Sequence, residues 1–171
     1  MEPRFPLKLN YAFICGLVEG EGSFYYKRNG QYKIPAFAIH MHYRDWFLLE
    51  RVRITLELER IKIYKFICNG YPTSQLLVRN RWDLFEKIVP FFYNRLQGYK
   101  AFQFREWLEK MNSSEVSSKY RFIYRYYRAG YFEDLYKQGK YFAQRPDIDL
   151  ADKYLNSRQV FRDLIKKYFP D

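Results

Sequence analysis

The sequence predicts an α+β fold. Its order is α-β-β-α-β-β-α, with a four-stranded antiparallel sheet forming a saddle packed by helices on one face and a helical extension at the C-terminal end. Three observations predict this. Two runs of period-two hydrophobicity each fold back at an Asn-Gly pair, Asn29-Gly30 and Asn69-Gly70, the strongest short-range hairpin signal. Helical phases stand before, between and after the two hairpins. The 171 residues hold one full core plus an appendage, but not two enzyme domains. The expected division is a core over 1–112 and a helical extension of the same domain over 113–171.

Asn10 to Val18 is short and apolar nearly all round, which reads as a buried helix with Asn10 as N-cap. Gly16 and Gly20 follow small-xxx-small spacing, which lets two helix backbones approach closely. After Gly22 the phase changes to period two. Phe24 and Tyr26 alternate with Tyr25 and Lys27, and across the turn Phe37, Ile39 and Met41 alternate with Ala36, Ala38, His40 and His42. Asp45 to about Glu59 is amphipathic helix, with Phe47, Leu48, Val52, Leu56 and Leu58 among charges. The second hairpin runs IKIYKFIC, turn, TSQLLVRN, where Leu76 and Val78 alternate with Gln75, Leu77 and Arg79. Trp82 to Tyr93 is helix interrupted or ended by Pro90, and Leu96-Gln97-Gly98 breaks the chain before a helix over Tyr99 to Met111. Asn112 to Lys119 is the one linker-like stretch, and a Tyr- and Arg-rich tail of helical character follows it as far as Pro170.

Composition narrows the class. Aromatics make up 22% of the chain, enough buried area to exclude intrinsic disorder despite the charge. Two cysteines in apolar surroundings, Cys15 and Cys68, fit a reducing compartment, so an intracellular location is expected. No stretch reaches the roughly 18 apolar residues of a membrane span, and the start lacks the layout of a signal peptide. A formal net charge of +11 calls for an anionic partner. Nucleic acid is the commonest, because each neutralised phosphate releases counterions, and an acidic membrane surface is the rival.

Glu19 and Glu21 fall where the first helix gives way to strand, at the partially negative end of the helix dipole, where carboxylates are disfavoured. Broken local rules concentrate at functional sites. Carboxylates beside unpaired carbonyls of a last helical turn suit a hard divalent cation; the competing account is a solvated acidic turn.

The string from Phe13 to Phe24, FICGLVEGEGSF, followed by a hairpin, resembles the LAGLIDADG homing endonucleases. Residues 14–22 match the motif in register, with Ile14-Cys15 for its leading Leu-Ala, Val18 for Ile and both acids present as Glu. The element order matches as well, over about 7–111. The resemblance implies an intron-encoded, site-specific endonuclease that hydrolyses both strands of duplex DNA. It implies Glu21 as metal ligand beside the Gly20 carbonyl, with Glu19 structural at the helix end, and Mg²⁺ as the ion, replaceable by Mn²⁺ or another divalent cation. A single motif copy implies a symmetric homodimer meeting through Phe13, Gly16, Leu17 and Gly20, and a long, nearly palindromic target. No small-molecule cofactor is expected. Lys100, after the Pro-aromatic stretch, matches the family's catalytic lysine. For the polar residue near the end of the second strand His40, His42 and Tyr43 compete, with His42 preferred, and Arg44 is a candidate for the scissile phosphate.

A two-stranded ribbon fits the DNA major groove, so specificity is expected on the sheet face away from the helices. Strand parity selects Tyr25, Lys27 and Asn29 on the first strand, Ala36, Ala38 and His40 on the second, and Gln75, Leu77 and Arg79 on the fourth, the third strand offers Lys62 and Tyr64, and Lys33 is a further DNA-contact candidate. Arg121, Arg125, Arg128 and Lys140 of the tail are expected at phosphates. The alternative is a non-cleaving DNA-binding regulator or RNA-splicing maturase on the same fold.

Overall fold

In the computed structural model of the chain the described residues are 7–93 and 95–128. Helix α1 spans Tyr11–Glu21, and the Asn10 side chain caps it by accepting from the Phe13 N–H at 2.7 Å. It runs through both acids of the motif instead of stopping at Val18. Strand β1 (Gly22–Asn29) follows without an intervening residue, and β2 (Tyr32–His42) returns antiparallel. A 3-10 turn, Tyr43–Asp45, leads into α2 (Trp46–Thr55).

Helix α2 is shorter than its hydrophobic phase. Glu57 takes a left-handed conformation, φ 55°, which ends the helix while Leu56 and Leu58 stay in the core. Strands β3 (Tyr64–Cys68) and β4 (Tyr71–Val78) form the second hairpin, closed by Asn69 and Gly70, both at positive φ as a two-residue turn requires. Lys62 lies before β3, outside the sheet. The sheet order is β1-β2-β4-β3, antiparallel throughout.

The Trp82–Tyr93 segment is less regular than its phase suggests. It opens as α3 (Arg81–Asp83), widens into a π segment over Leu84–Ile88 and closes as α4 (Val89–Phe92), with Pro90 at the start of α4 where its missing N–H costs nothing. Helix α5 spans Tyr99–Lys110. It is bolted to β1, since the Trp107 indole donates to the Tyr25 carbonyl at 3.1 Å and the Tyr26 hydroxyl donates to the Trp107 carbonyl.

Phe24, Phe37, Ile39, Leu76 and Val78 face the helices and share one core with α1, α2, the π segment and α5. Phe24 touches the rings of Phe37, Phe92, Phe104 and Trp107. Among the described residues no helix covers the other sheet face.

The stretch read as a linker is part of this body. Lys33 donates its N–H to the Glu115 carbonyl at 2.8 Å and accepts from the Ser117 N–H at 3.1 Å, so 115–117 prolongs the line of β4 along β2. Val116 is fully buried, and Tyr120 donates to the Arg79 carbonyl at 3.0 Å. Beyond it α6 (Arg121–Arg128) packs Phe122 on Trp82 and Phe85, and Tyr126 on Phe85. The core therefore runs past the expected boundary at 112 to at least Tyr126. Lys140 and the rest of the expected tail lie outside the described residues.

Gly22 is fixed by packing. A Cβ there would stand 2.6 Å from Val18 Cγ1 and 2.9 Å from the Val18 carbonyl, and Val18 is itself buried. Gly22→Ala is expected to cost about 1–3 kcal/mol through overpacking, read as a lower midpoint at unchanged slope in urea unfolding.

Candidate active site

Both acids of the motif stand at the C-terminal end of α1, and the fold treats them differently. Glu19 Oε1 accepts from the backbone N–H of Gln97 at 2.5 Å and of Gly98 at 3.2 Å. Gly98 is the N-cap of α5 and has no side chain, and Glu19, bound to the N–H groups of Gln97 and Gly98, sets its charge at the positive end of α5. A Cβ on Gly98 would stand 2.9 Å from Glu19 Oε2. Glu19 is thus a structural clamp, as the resemblance implied.

Glu21, two residues on, is exposed. Among the described residues no hydrogen bond or ion pair engages its carboxylate. The last turn of α1 carries no basic residue. The cation that reaches it comes from α5: Lys100, partly buried, donates from Nζ to the Gly22 carbonyl at 2.6 Å. That bond uses one of three ammonium donors and leaves two for another acceptor. Carboxylate and ammonium, 79 residues apart in sequence, are brought to one junction.

The donors at the junction, carboxylate and helix-end carbonyl oxygen, have the chemistry of a hard-cation site. Among the described residues no group of three or more His, Cys, Asp and Glu side chains converges.

The strand candidates are spread over two turns of register. His40 lies one residue past the Gly22–Ile39 pair, level with Glu21, whereas His42 lies three past it. The His42 ring is occupied locally: Nδ1 accepts from the Arg44 N–H at 3.1 Å and so caps the 3-10 turn. Arg44 extends into solvent, with Asp45 3.8 Å away. Tyr43, the third competitor, carries Lys65 Nζ 4.8 Å from its ring centroid.

On the open face the register collects Tyr25, Lys27, Asn29, Ala36, Ala38, His40, Tyr64, Gln75 and Leu77 on one side of the sheet. Arg79 follows β4 and adjoins Tyr25, whose phenol burial pushes up. Four positions are corrected. Lys33 pairs with Arg28, on the helix side, and its ammonium meets Glu115 at 3.2 Å, because the strand crosses to a new partner there. Ala36 and Ala38 are on the open face but fully buried between larger neighbours, so they form the floor of the face. Lys62 is exposed at its rim rather than in a strand. Arg121 and Arg125 belong to α6, and the side chain of Arg128 lies outside the described residues.

One pairing was not foreseen. Gln75 Nε2 and His40 Nε2, cross-strand partners in one row, are 2.7 Å apart, and burial holds the imidazole below its ordinary pKa. Cross-strand register would have suggested it, had the offset between β2 and β4 been known.

The α1 face away from the core is empty. Phe13 is 46% exposed, Gly16 and Gly20 are exposed, and Leu17 is half-buried. A Cβ at Gly16 or Gly20 would meet nothing within 4 Å, so no packing inside this chain requires either glycine.

Comparison with known proteins gives consistent results. A family model described as LAGLIDADG endonuclease matches residues 14–111. Among solved structures the chain is similar to a homing endonuclease, I-TnaI, at 22% identity and a TM-score of 0.52, over 88% of this chain and 99% of that one. It is similar to the I-LtrWI LAGLIDADG homing endonuclease bound to target DNA, at 21% identity and a TM-score of 0.53, over 72% of this chain and 46% of that one. It is also similar to the LAGLIDADG meganuclease I-AabMI bound to uncleaved DNA, at 20% identity and a TM-score of 0.54, over 66% of this chain and 41% of that one. At these identities the likeness is one of fold, and this chain spans less than half the length of the two DNA-bound proteins.

The motif cysteine and the hairpin cysteine differ in reactivity. Burial beside α1 pushes the Cys15 thiol up to about 11; the nearby Arg95 lowers it and Glu19 raises it further. Only about a thousandth of Cys15 is thiolate at pH 8. Cys68 is exposed. Ellman's reagent at pH 8 is expected to label Cys68 promptly, with Cys15 reacting only on unfolding or as the pH approaches 11.

Proposed function

The chain belongs to the LAGLIDADG endonuclease family, and on that premise we propose that it is a site-specific double-strand DNA endonuclease working inside the cell as a symmetric homodimer with a divalent metal ion. The observation that carries this reading is the uncommitted carboxylate of Glu21 at the α1–β1 junction, next to an ammonium that is held but not used up.

The dimer follows from α1. Two exposed glycines that nothing in one chain requires make sense against a second backbone, and Phe13 and Leu17 on the same stripe supply apolar area for the contact. Two-fold packing there brings Glu21 and the Gly20 carbonyl of one protomer toward those of its partner, giving an oxygen-rich set for Mg²⁺ or Mn²⁺. Bound in that way, the metal supplies Lewis-acid stabilisation and lowers the pKa of water.

The chain's own groups do the rest. Lys100, fixed by the Gly22 carbonyl, offers two N–H donors to a phosphate oxygen as charge develops. Arg44 is free to approach the backbone from the end of β2. His40, level with Glu21 in register, competes with His42 for orienting the attacking water. Water adds to phosphorus as the bond to the leaving oxygen breaks, once in each strand. Lys27, Asn29, Tyr25, Gln75 with His40, Tyr64 and Arg79 would read base edges and phosphates of a nearly palindromic duplex.

Glu21→Gln is expected to retain duplex binding while strand cleavage falls about a hundredfold or more, measured on supercoiled plasmid carrying selected target sites with Mg²⁺. Wild-type protein that binds such sites and cleaves none with Mg²⁺ or Mn²⁺ would be a regulator instead. Phe13→Asp is expected to convert the dimer to monomer by sedimentation velocity, and to abolish cleavage with it.

A further inference from the structure

We propose that the outer end of the open sheet face is a stacking platform for an unpaired DNA strand. This deepens the reading above, on whose DNA it rests, by assigning the end of the face where Phe66 and Tyr71 continue outward from Tyr64.

Three aromatic rings occupy three consecutive cross-strand rows. Tyr64 lies in the row of Gln75 and His40, Phe66 in the row of Thr73 and His42, and Tyr71 in the row of Cys68. All three project from the side without helices, and they are 56%, 38% and 70% exposed. Exposed aromatics at this density are costly to leave in water and are not a by-product of packing, because the core side of the same hairpin is filled by Ser74, Leu76 and Val78. His40 meets Phe66 edge-on at 6.4 Å, so the ring is held against the row that contains Gln75.

Spacing and charge choose the occupant. Alternate residues of a strand are roughly 6.8 Å apart. Stacked bases in a duplex are about 3.4 Å apart and offer only their edges, so a ring on each row has nothing to stack on. An unpaired strand with bases drawn apart presents one π-face per row. The hairpin also favours a polyanion: residues 60–82 contain Arg60, Lys62, Lys65, Arg79 and Arg81 and no Asp or Glu. Cations interleaved with exposed aromatics are the requirements for sequence-tolerant single-strand binding.

The test is fluorescence anisotropy of the full chain with a labelled oligothymidylate of about twelve nucleotides, beside a mixed-sequence duplex of the same length, at two salt concentrations. Wild type is expected to bind the single strand, and Phe66→Ala or Tyr71→Ala to weaken that binding by about tenfold while duplex affinity changes by less than about twofold. Phe66→Tyr, which keeps the π-face, is expected to bind like wild type. Ile67→Ser, on the same edge strand but the opposite face, is expected to change nothing. No single-strand binding by wild type overturns the proposal, and so does equal loss on duplex and single strand, or equal loss in Ile67→Ser. Oligouridylate RNA held more than about tenfold tighter than the DNA strand reassigns the occupant and overturns it too. None of these readouts uses turnover, so a protein that fails to cleave duplex refutes the endonuclease reading and leaves the platform to be judged by itself.

Discussion

The direct passage of α1 into β1 constrains the rest of the structure. With no loop between them, the helix axis and the first strand must meet at an angle that one residue can absorb, and Gly22 absorbs it by lying against Val18. Ile14 and Val18 anchor the inner face of α1 in the core, which turns Phe13, Gly16 and Gly20 outward. Gly22 also opens the ladder with β2 by pairing with Ile39, so the register of the first hairpin is set at the same point. Helix α5 then closes over the junction through Lys100 and through the loop that Glu19 binds. The outward stripe of α1, the sheet register and the position of Lys100 are consequences of one packed glycine.

The two acids of the motif show how a helix end can be disarmed and armed at once. Carboxylates at the negative end of a helix repel its terminal carbonyls. Glu19 escapes that penalty because the positive end of another helix is brought to it, and Lys100 offsets the field at the Gly22 carbonyl. Glu21 has neither relief. A carboxylate kept in an unfavourable field by the fold around it is poised to take a cation. The strain in this region belongs to electrostatics, while the backbone there is ordinary.

Much of this was legible in the amino-acid sequence because local signals agreed. Asn-Gly pairs gave both hairpins, Asn10 gave the helix start, and period-two parity gave the open face at Tyr25, His40, Gln75 and Tyr64. Register across sequence-distant elements was not legible. Lys33 was expected at DNA for its charge, yet alternation along β2 puts it on the side of Phe37 and Ile39, and no local signal announced Glu115 as its partner. Serine and asparagine made Asn112 to Lys119 look like a linker, since composition reports the local chain and not the edge of β2 that it covers. The length of α2 failed for a related reason: its apolar phase continues through Leu58, but a left-handed Glu57 feeds those side chains to the core without a helix. Of the site, Glu21 and Lys100 were named only because a family pattern links them. Nothing local connects a helix end with a lysine 79 residues later.

Strand β2 is bordered by β1 along its length, by β4 over Phe37 to His42, and at Lys33 by a segment 82 residues downstream. A sheet whose central strand is closed by so distant a piece has a large loop-closure entropy to overcome before its last contacts form. During synthesis, the first hairpin and α1 can assemble early, but the flank of β2 stays open until 115–117 has left the ribosome. The order of emergence therefore makes the Lys33 end of β2 one of the last parts of the sheet to be closed, and a nascent chain truncated short of that point carries all four strands with that edge still unpaired.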